Sequence, residues 1–341
     1  MKDSARLFDF QEVNEDMVRR LFAAFDPKAS ITQVSPLTKG MSTSNYALRT
    51  DSGSKYVLRI YPANNDHSGI EAAAYQYAKA KIRTPEIFFF DDSKQIIPFS
   101  YLIMVFIEGS TLGDFIAENE GCPDHVVHRI GSSLALLHQT KYSHMALLDE
   151  HLQIAEQLES FASQYYTLLN GLAGTHIQPS TKEKCMQFLA DHAALVERIE
   201  DKHVFSHGDF IFSNIMVTPS LEPCFIDYEY CFAAPVFYDI GKFFRTRTQI
   251  ERYIGADTIA AFEEGYNRNA REPLPGEWYA LSKLADISTM LHLINKPQIP
   301  DGWGSAIDGE IAKNLKLLAG KPGRYRINEL GFRYLNTDMN H

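Results

Sequence analysis

His207-Gly208-Asp209-Phe210-Ile211-Phe212-Ser213-Asn214, followed by Ile226-Asp227-Tyr228-Glu229, is the stretch on which the reading of this chain turns. The pattern is His-x-Asp, four residues, Asn, and a second Asp at the end of a short apolar run. Two short β segments, at 204–217 and 223–228, carry these polar residues. An isolated Asp-x4-Asn means little. Here His207 precedes the Asp by two, Ser213 directly precedes Asn214, and Asp227 follows an apolar strand. Those residue types suit phosphoryl transfer from ATP. One carboxylate orients and deprotonates an attacking hydroxyl, while a second carboxylate and an amide oxygen hold Mg²⁺ against the phosphates. Asp209 takes the first role in this reading, and Asn214 and Asp227 take the second. His207 reads as a residue that hydrogen-bonds backbone and shapes the loop.

The N-terminal third supplies a separate test, because such chemistry needs a phosphate-covering turn, a cation on a nearby strand and an acid to orient it. Lys39-Gly40-Met41-Ser42-Thr43-Ser44-Asn45 lies between two β runs, at 31–34 and 45–49. It is no G-x-G-x-x-G. Gly40 still allows close backbone approach, and Ser42, Thr43 and Ser44 offer hydroxyls or amides to phosphate. On the next strand, 56–61, Val57 and Arg59 share a face. Arg59 is placed to reach phosphate and Val57 to lie against adenine. A charge amid an apolar strand is costly unless paired, and Glu71, on a helix over 70–80, is the expected partner. The apolar strand 101–107 ends in Glu108-Gly109 and fits a linker, where adenine would meet backbone at Val105 and Ile107.

Beyond Gly109 the pattern turns helical. Val127, Ile130, Leu134 and Leu137 step by 3, 4 and 3 along one apolar face. Residues 152–169, 182–199 and most of the chain from 249 onward also read as helix. The sum is an α+β chain with a small β-rich N-terminal lobe, 1–108, and a larger, mainly helical C-terminal lobe, 109–341.

Composition sets outer bounds. Of 341 residues, 45% are hydrophobic and 22% charged, which is ordinary for a folded globular chain. The formal charge of −10 argues against a nucleic-acid partner, which needs a basic surface, and leaves a nucleotide open. The four cysteines show no Cys-x-x-Cys spacing, so they read as reduced, mostly buried thiols rather than a metal or redox site. No secretory leader is visible, and the apolar run at 101–107 is too short to cross a bilayer. A cytoplasmic protein with no membrane partner is expected.

The residues His207-Gly208-Asp209-x4-Asn214, Ile226-Asp227-Tyr228-Glu229-Tyr230 and Tyr238-Asp239-Ile240-Gly241 resemble the aminoglycoside phosphotransferase and choline kinase superfamily. The resemblance spans roughly 40–245. It implies a protein-kinase-like fold, with Asp209 as the catalytic base, Asn214 and Asp227 on magnesium, Arg59 on the ATP phosphates, and Asp239 bracing the catalytic region. Gly40-Met41-Ser42, Leu58-Arg59-Ile60-Tyr61 and the Glu229-containing segment look like the choline kinase branch. His207-Gly208-Asp209 looks like the antibiotic kinases. The absence of Asp-Phe-Gly and Ala-Pro-Glu argues against a kinase acting on proteins.

The expected acceptor is a small molecule with a hydroxyl, either an aminoglycoside or an amino alcohol such as choline or ethanolamine. Glu229, Glu263, Glu264 and Asp286 are acids able to face a cation, and Trp278, Tyr279 and Tyr266 can pack on an ammonium. Solvated helix faces and plain core packing are the competing readings for these residues. A neutral acceptor (a sugar, a macrolide or homoserine) is the alternative substrate class, and a non-catalytic nucleotide-binding module on the same fold is the alternative function.

Overall fold

Asn14 opens the first element. Its side chain accepts from the Met17 N–H, Glu15 and Asp16 occupy the first turn, and helix α1 (Glu15–Phe25) buries Val18, Leu21 and Phe22. This helix adds to the elements expected from sequence. The computed structural model describes residues 6, 8–245 and 253–319. It divides into two units, each with its own interior. The first takes the chain up to Gly109 together with Asp149–Gln153 and Cys224–Tyr230; the second takes Ser110–Leu148, Ile154–Pro223 and the described residues from Cys231 onward.

The first unit is built on a five-stranded antiparallel sheet of β1 (Ile31–Leu37), β2 (Ser44–Thr50), β3 (Lys55–Ile60), β4 (Ile87–Asp91) and β5 (Tyr101–Val105), in the order β1-β2-β3-β5-β4. Helix α2 (Ser68–Lys79) follows β3. Leu48, Leu58, Ile60 and Ile103 pack with the buried face of α1. The register places Arg59 opposite Asn45 on one side and Leu102 on the other, in the central strand of the sheet. The last strand stops at Val105, two residues before the expected end, and there the Val105 N–H donates to the Glu86 carbonyl at 2.9 Å.

The second unit is mainly helical. It begins with β6 (Ser110–Thr111), α3 (Leu112–Asn119) and α4 (Asp124–Leu137). Next come β7 (Lys141–Tyr142), β8 (Ala146–Leu148), β9 (Ile154–Gln157), α5 (Phe161–Asn170), α6 (Pro179–Asp191) and α7 (Ala193–Glu197). Strands β10 (His203–Ser206), β11 (Ile215–Val217), β12 (Pro223–Phe225) and β13 (Phe232–Pro235) follow, β12 running into the first unit. Helices α8 (Phe237–Phe243), α9 (Ala256–Asn269), α10 (Trp278–Ile294) and α11 (Trp303–Leu318) complete it. A second sheet, ordered β7-β10-β13-β8-β9, presents β10 to the loop that starts at His207.

Helix α10 is buried along almost its whole length, so it serves as the centre of this unit. Two close approaches depend on glycine. A Cβ at Gly265 would fall 1.9 Å from the His128 carbonyl oxygen, and one at Gly241 would fall 2.4 Å from that of Ser282. Backbone therefore meets backbone where α9 packs on α4 and α8 on α10.

Two helical expectations are corrected. Residues 152–169 are not one helix: β9 pairs with β8, and α5 starts only after the Ser160 hydroxyl caps the Ser163 N–H. The stretch 182–199 breaks at His192, whose φ of −128° and ψ of 35° interrupt the helix while its ring stacks on Phe188. Among the described residues no helix is long and apolar enough to cross a membrane.

Candidate active site

In the second unit, β10 delivers the chain into His207-Gly208-Asp209. Gly208 has a φ of 79°, a conformation that glycine adopts without strain. Asp239, at the start of α8, holds this turn. Its carboxylate accepts the His207 N–H at 2.7 Å and the Gly208 N–H at 3.0 Å. Behind it, His138 Nε2 lies 3.1 Å from Asp239, and His138 Nδ1 lies 2.9 Å from the Tyr266 hydroxyl. Five residues after Asp209, Asn214 turns its amide back. Nδ2 donates to the Asp209 carbonyl at 2.9 Å and to Asp209 Oδ2 at 2.8 Å. That assignment leaves Asn214 Oδ1 as the amide atom able to meet a cation.

The Asp209 carboxylate has a cationic neighbour on its other oxygen. Lys242 Nζ lies 3.2 Å from Oδ1 and also donates to the Gly208 carbonyl. Burial alone would raise the Asp209 pKa. The positive charge of Lys242, helped by His207 and Arg245, outweighs burial and holds the carboxyl below its ordinary value. The group is thus an ionised, acceptor-only carboxylate, and its side chain remains 30% exposed.

In the first unit, Arg59 gathers three carboxylates. Its Nε lies 3.0 Å from Glu71, its Nη2 donates to Asp227 Oδ1, and Glu229 Oε2 is 3.8 Å away. The Tyr61 hydroxyl also donates to Glu71. Burial pushes Glu71 up to about 7 against the pull of Arg59, and burial together with Asp227 pushes Glu229 up to about 8. Asp227 sits at a φ of 72°, in left-handed backbone that is strained for a non-glycine residue, with its N–H donating to the Tyr75 hydroxyl at 3.0 Å.

The 40–43 turn is tied to the same cluster. Arg6 donates to the carbonyls of Gly40 and Thr43. Ser42 Oγ meets the Tyr230 hydroxyl at 3.0 Å and hydrogen-bonds Glu229. A Cβ at Gly40 would meet nothing nearer than 3.5 Å. The protein's own packing therefore does not demand glycine there, and room is left for a group to approach the backbone.

The structure thus brings Ser42, Arg59, Glu71, Asp227 and Glu229 together in one unit, and Asp209 and Asn214 together in the other. Val57 and Ile107 are half-buried. Val105 has already spent its N–H on Glu86, so that N–H is not available for the role expected of it. The expected acceptor residues fall elsewhere. Glu229 belongs to the Arg59 cluster. Asp286 has no exposure, and Arg245 grips it through Nε at 3.0 Å and Nη2 at 2.6 Å. A carboxylate on so deeply buried a helix needs such a partner. Trp278 is also fully buried, packed against Phe244, Phe262 and Tyr279. Tyr266 is spent on His138. Glu264 is exposed and Glu263 half-buried on α9.

Sequence reasoning misses Lys242 and Arg245. For Lys242 the signal is present. A lysine in Ile240-Gly241-Lys242-Phe243-Phe244 is a charge in an apolar run, the same oddity that singles out Arg59.

An antiparallel-sheet unit and a mainly helical unit of this order define a protein-kinase-like fold. The sequence model of the phosphotransferase enzyme family (APH) matches residues 33–281, and the chain belongs to that family. No curated protein is matched significantly by sequence. Among solved structures, a candidate fructosamine-3-kinase of Thermobifida fusca is 14% identical with a TM-score of 0.62, over 89% of this chain and 100% of that one. A thermostable variant of aminoglycoside phosphotransferase APH(4)-Ia, in complex with ADP and hygromycin B, is 14% identical with a TM-score of 0.63, over 89% and 99%. The AMP complex of spectinomycin phosphotransferase APH(9)-Ia is also 14% identical, with a TM-score of 0.57, over 95% and 99%. At this identity the likeness is one of fold.

Proposed function

We propose that this chain is an ATP- and Mg²⁺-dependent kinase of a small-molecule hydroxyl, acting in the cytoplasm, with a nucleotide-binding lobe at 1–108 and an acceptor-binding lobe at 109–341. The observation that carries the reading is Asp209: an ionised carboxylate, held on a rigid loop between Asn214 and Lys242, yet still open on one side. It would take the proton of the acceptor hydroxyl. The hydroxyl oxygen would bond to the γ-phosphorus, the bond from that phosphorus to the β,γ-bridging oxygen would break, and ADP would leave with the bridging electrons. Positioning and charge neutralisation carry most of the rate in such transfers.

Arg59, oriented by Glu71, would bind phosphate, and Gly40, Ser42 and Thr43 would cover it. Val57 and Ile107 would meet the base. The oxygen donors of Asp227 and Asn214 suit a hard cation. Magnesium, when bound, neutralises phosphate charge. Structures of similar fold hold ADP with hygromycin B, or AMP, which supports an adenine nucleotide and a small acceptor here.

An aminoglycoside or an amino alcohol such as choline or ethanolamine remains the first acceptor class. A neutral hydroxyl compound is the second reading, and one observation favours it: Asp286 and Glu229, the acids expected to face a cation, are already met by Arg245 and Arg59. Asp209→Asn tests the function. Turnover should fall on the order of 10²–10⁴-fold, with Mg-ATP affinity by calorimetry retained; full turnover in that variant would refute the assignment. A screen of ATP consumption over amino alcohols, aminoglycosides, macrolides, homoserine and sugars separates the acceptor classes.

A further inference from the structure

Lys242 stands one helical turn beyond Asp239 on α8, so the two side chains share a face. They hold the same loop by opposite means. Asp239 accepts its amides, from His207 and Gly208, while Lys242 donates to the Gly208 carbonyl and reaches Asp209 Oδ1 at 3.2 Å. The Tyr238 ring lies 5.3 Å from the same ammonium. Asn214 fixes the other carboxylate oxygen, Oδ2, at 2.8 Å.

An ammonium this deeply buried is expensive, and an apolar side chain would fill the space at lower cost. What the lysine adds is geometry. With Oδ1 and Oδ2 each held from a different direction, the Asp209 side chain has one orientation, and its remaining lone pairs face outward. A tie on Gly208 alone would steady the loop without setting the carboxylate.

We propose that Lys242 is a positioning residue for phosphoryl transfer, fixing the Asp209 carboxylate in the orientation that receives the acceptor proton. The inference rests on the kinase reading of this loop.

The test is a four-way comparison in the whole chain: Lys242→Met and Lys242→Arg, each in the native and the Asp209→Asn backgrounds. ADP release from Mg-ATP is followed with water as acceptor and with any acceptor found in the screen, and thermal unfolding is recorded for every variant. Lys242→Met should lower kcat on the order of 10²-fold, as expected for a misplaced reacting group. KM for ATP should stay within about threefold, since ground-state binding is untouched. Lys242→Arg, which keeps the charge, should recover part of the loss. In the Asp209→Asn background Lys242→Met should change kcat by less than about twofold, because both substitutions remove the same contribution. An equal fold loss in both backgrounds, or an unchanged kcat, overturns the inference. A loss that simply follows the thermal midpoint, with no recovery in Lys242→Arg, overturns it too. If the native protein releases no ADP under any condition, the kinase reading falls and the inference with it; native turnover with an unaffected Lys242→Met removes the inference alone.

Discussion

The guanidinium of Arg59 and the carboxylate of Glu71 lie 3.0 Å apart, with 7% and 0% of their side chains exposed. One cation in that position also serves Asp227 and Glu229. Removing it would strand two buried acids, Glu71 and Glu229, in low dielectric and unpair the part-exposed Asp227. Arg59→Met should therefore lower the free energy of unfolding by about 3–5 kcal/mol, read from urea titration. The double substitution Arg59→Met with Glu71→Leu should be less destabilised than Arg59→Met alone, because the most buried acid leaves with its partner. Equal losses would mean that Glu71 does not depend on Arg59.

Asp239 ties down the loop that carries Asp209. Burial pushes its pKa up, but the hydrogen bond and charge of His138, with His207, hold it below its ordinary value of 3.8. A carboxylate lowered on folding contributes stability that is full above its unfolded pKa and is lost as pH falls through its folded one. Asp239→Asn should cost about 3 kcal/mol near neutrality, since it strips a charged acceptor from two buried amides. That gap to the native protein should narrow below about pH 4. Urea unfolding at pH 7 and near pH 3 checks both parts; a gap that does not shrink in acid would place the cost in packing rather than charge.

What is legible in the sequence follows the distance between partners. Asp209 and Asn214 sit on one loop, so their spacing displays the arrangement. Arg59 and Glu71 are further apart, but a lone charge in an apolar strand demands an acid, and the next helix offers one. Lys242 poses the same demand, yet it is easily overlooked when Tyr238-Asp239-Ile240-Gly241 is read for Asp239 alone. Helix α1 announces itself through Asn14-Glu15-Asp16, a cap and an acidic first turn. Other features have no local sign. Arg245 and Asp286 are 41 residues apart, and only the packing of α10 unites them. Likewise, the loss of the Val105 N–H to Glu86 depends on strand register, which side-chain pattern sets only loosely.

The crossing of α4 and α9 is set by two glycines. A Cβ at Gly131 would lie 2.3 Å from the Phe262 carbonyl oxygen, and one at Gly265 would lie 1.9 Å from that of His128. Both obstacles are backbone, so the helices would have to part. Gly131→Ala and Gly265→Ala should each destabilise by about 1–3 kcal/mol or more, despite alanine's better helix propensity. Gly309 supplies the control. It lies in α11, where an added methyl would meet nothing within 4 Å, so Gly309→Ala should stabilise by up to about 1 kcal/mol. Thermal melts of the three variants give the comparison, and a neutral Gly265→Ala would mean that the helices are held less closely than described.

The cysteines should be chemically quiet while the chain is folded. Burial pushes the thiols of Cys122, Cys185 and Cys224 up to about 12, from an ordinary 9.0; at Cys122 the neighbouring Asp124 adds to the effect. The thiolate is the reactive form, so at pH 8 these groups present very little nucleophile. In the unfolded chain they return to ordinary acidity and full access. Iodoacetamide at pH 8 should therefore leave all three largely unmodified in native buffer and label them promptly above the urea midpoint, with the labelled fraction following the unfolding curve read by fluorescence. Cys122 gives the sharpest check because it is the half-exposed member of the three. Rapid labelling of Cys122 in native buffer would show that its sulfur is open to solvent and titrates near its ordinary value.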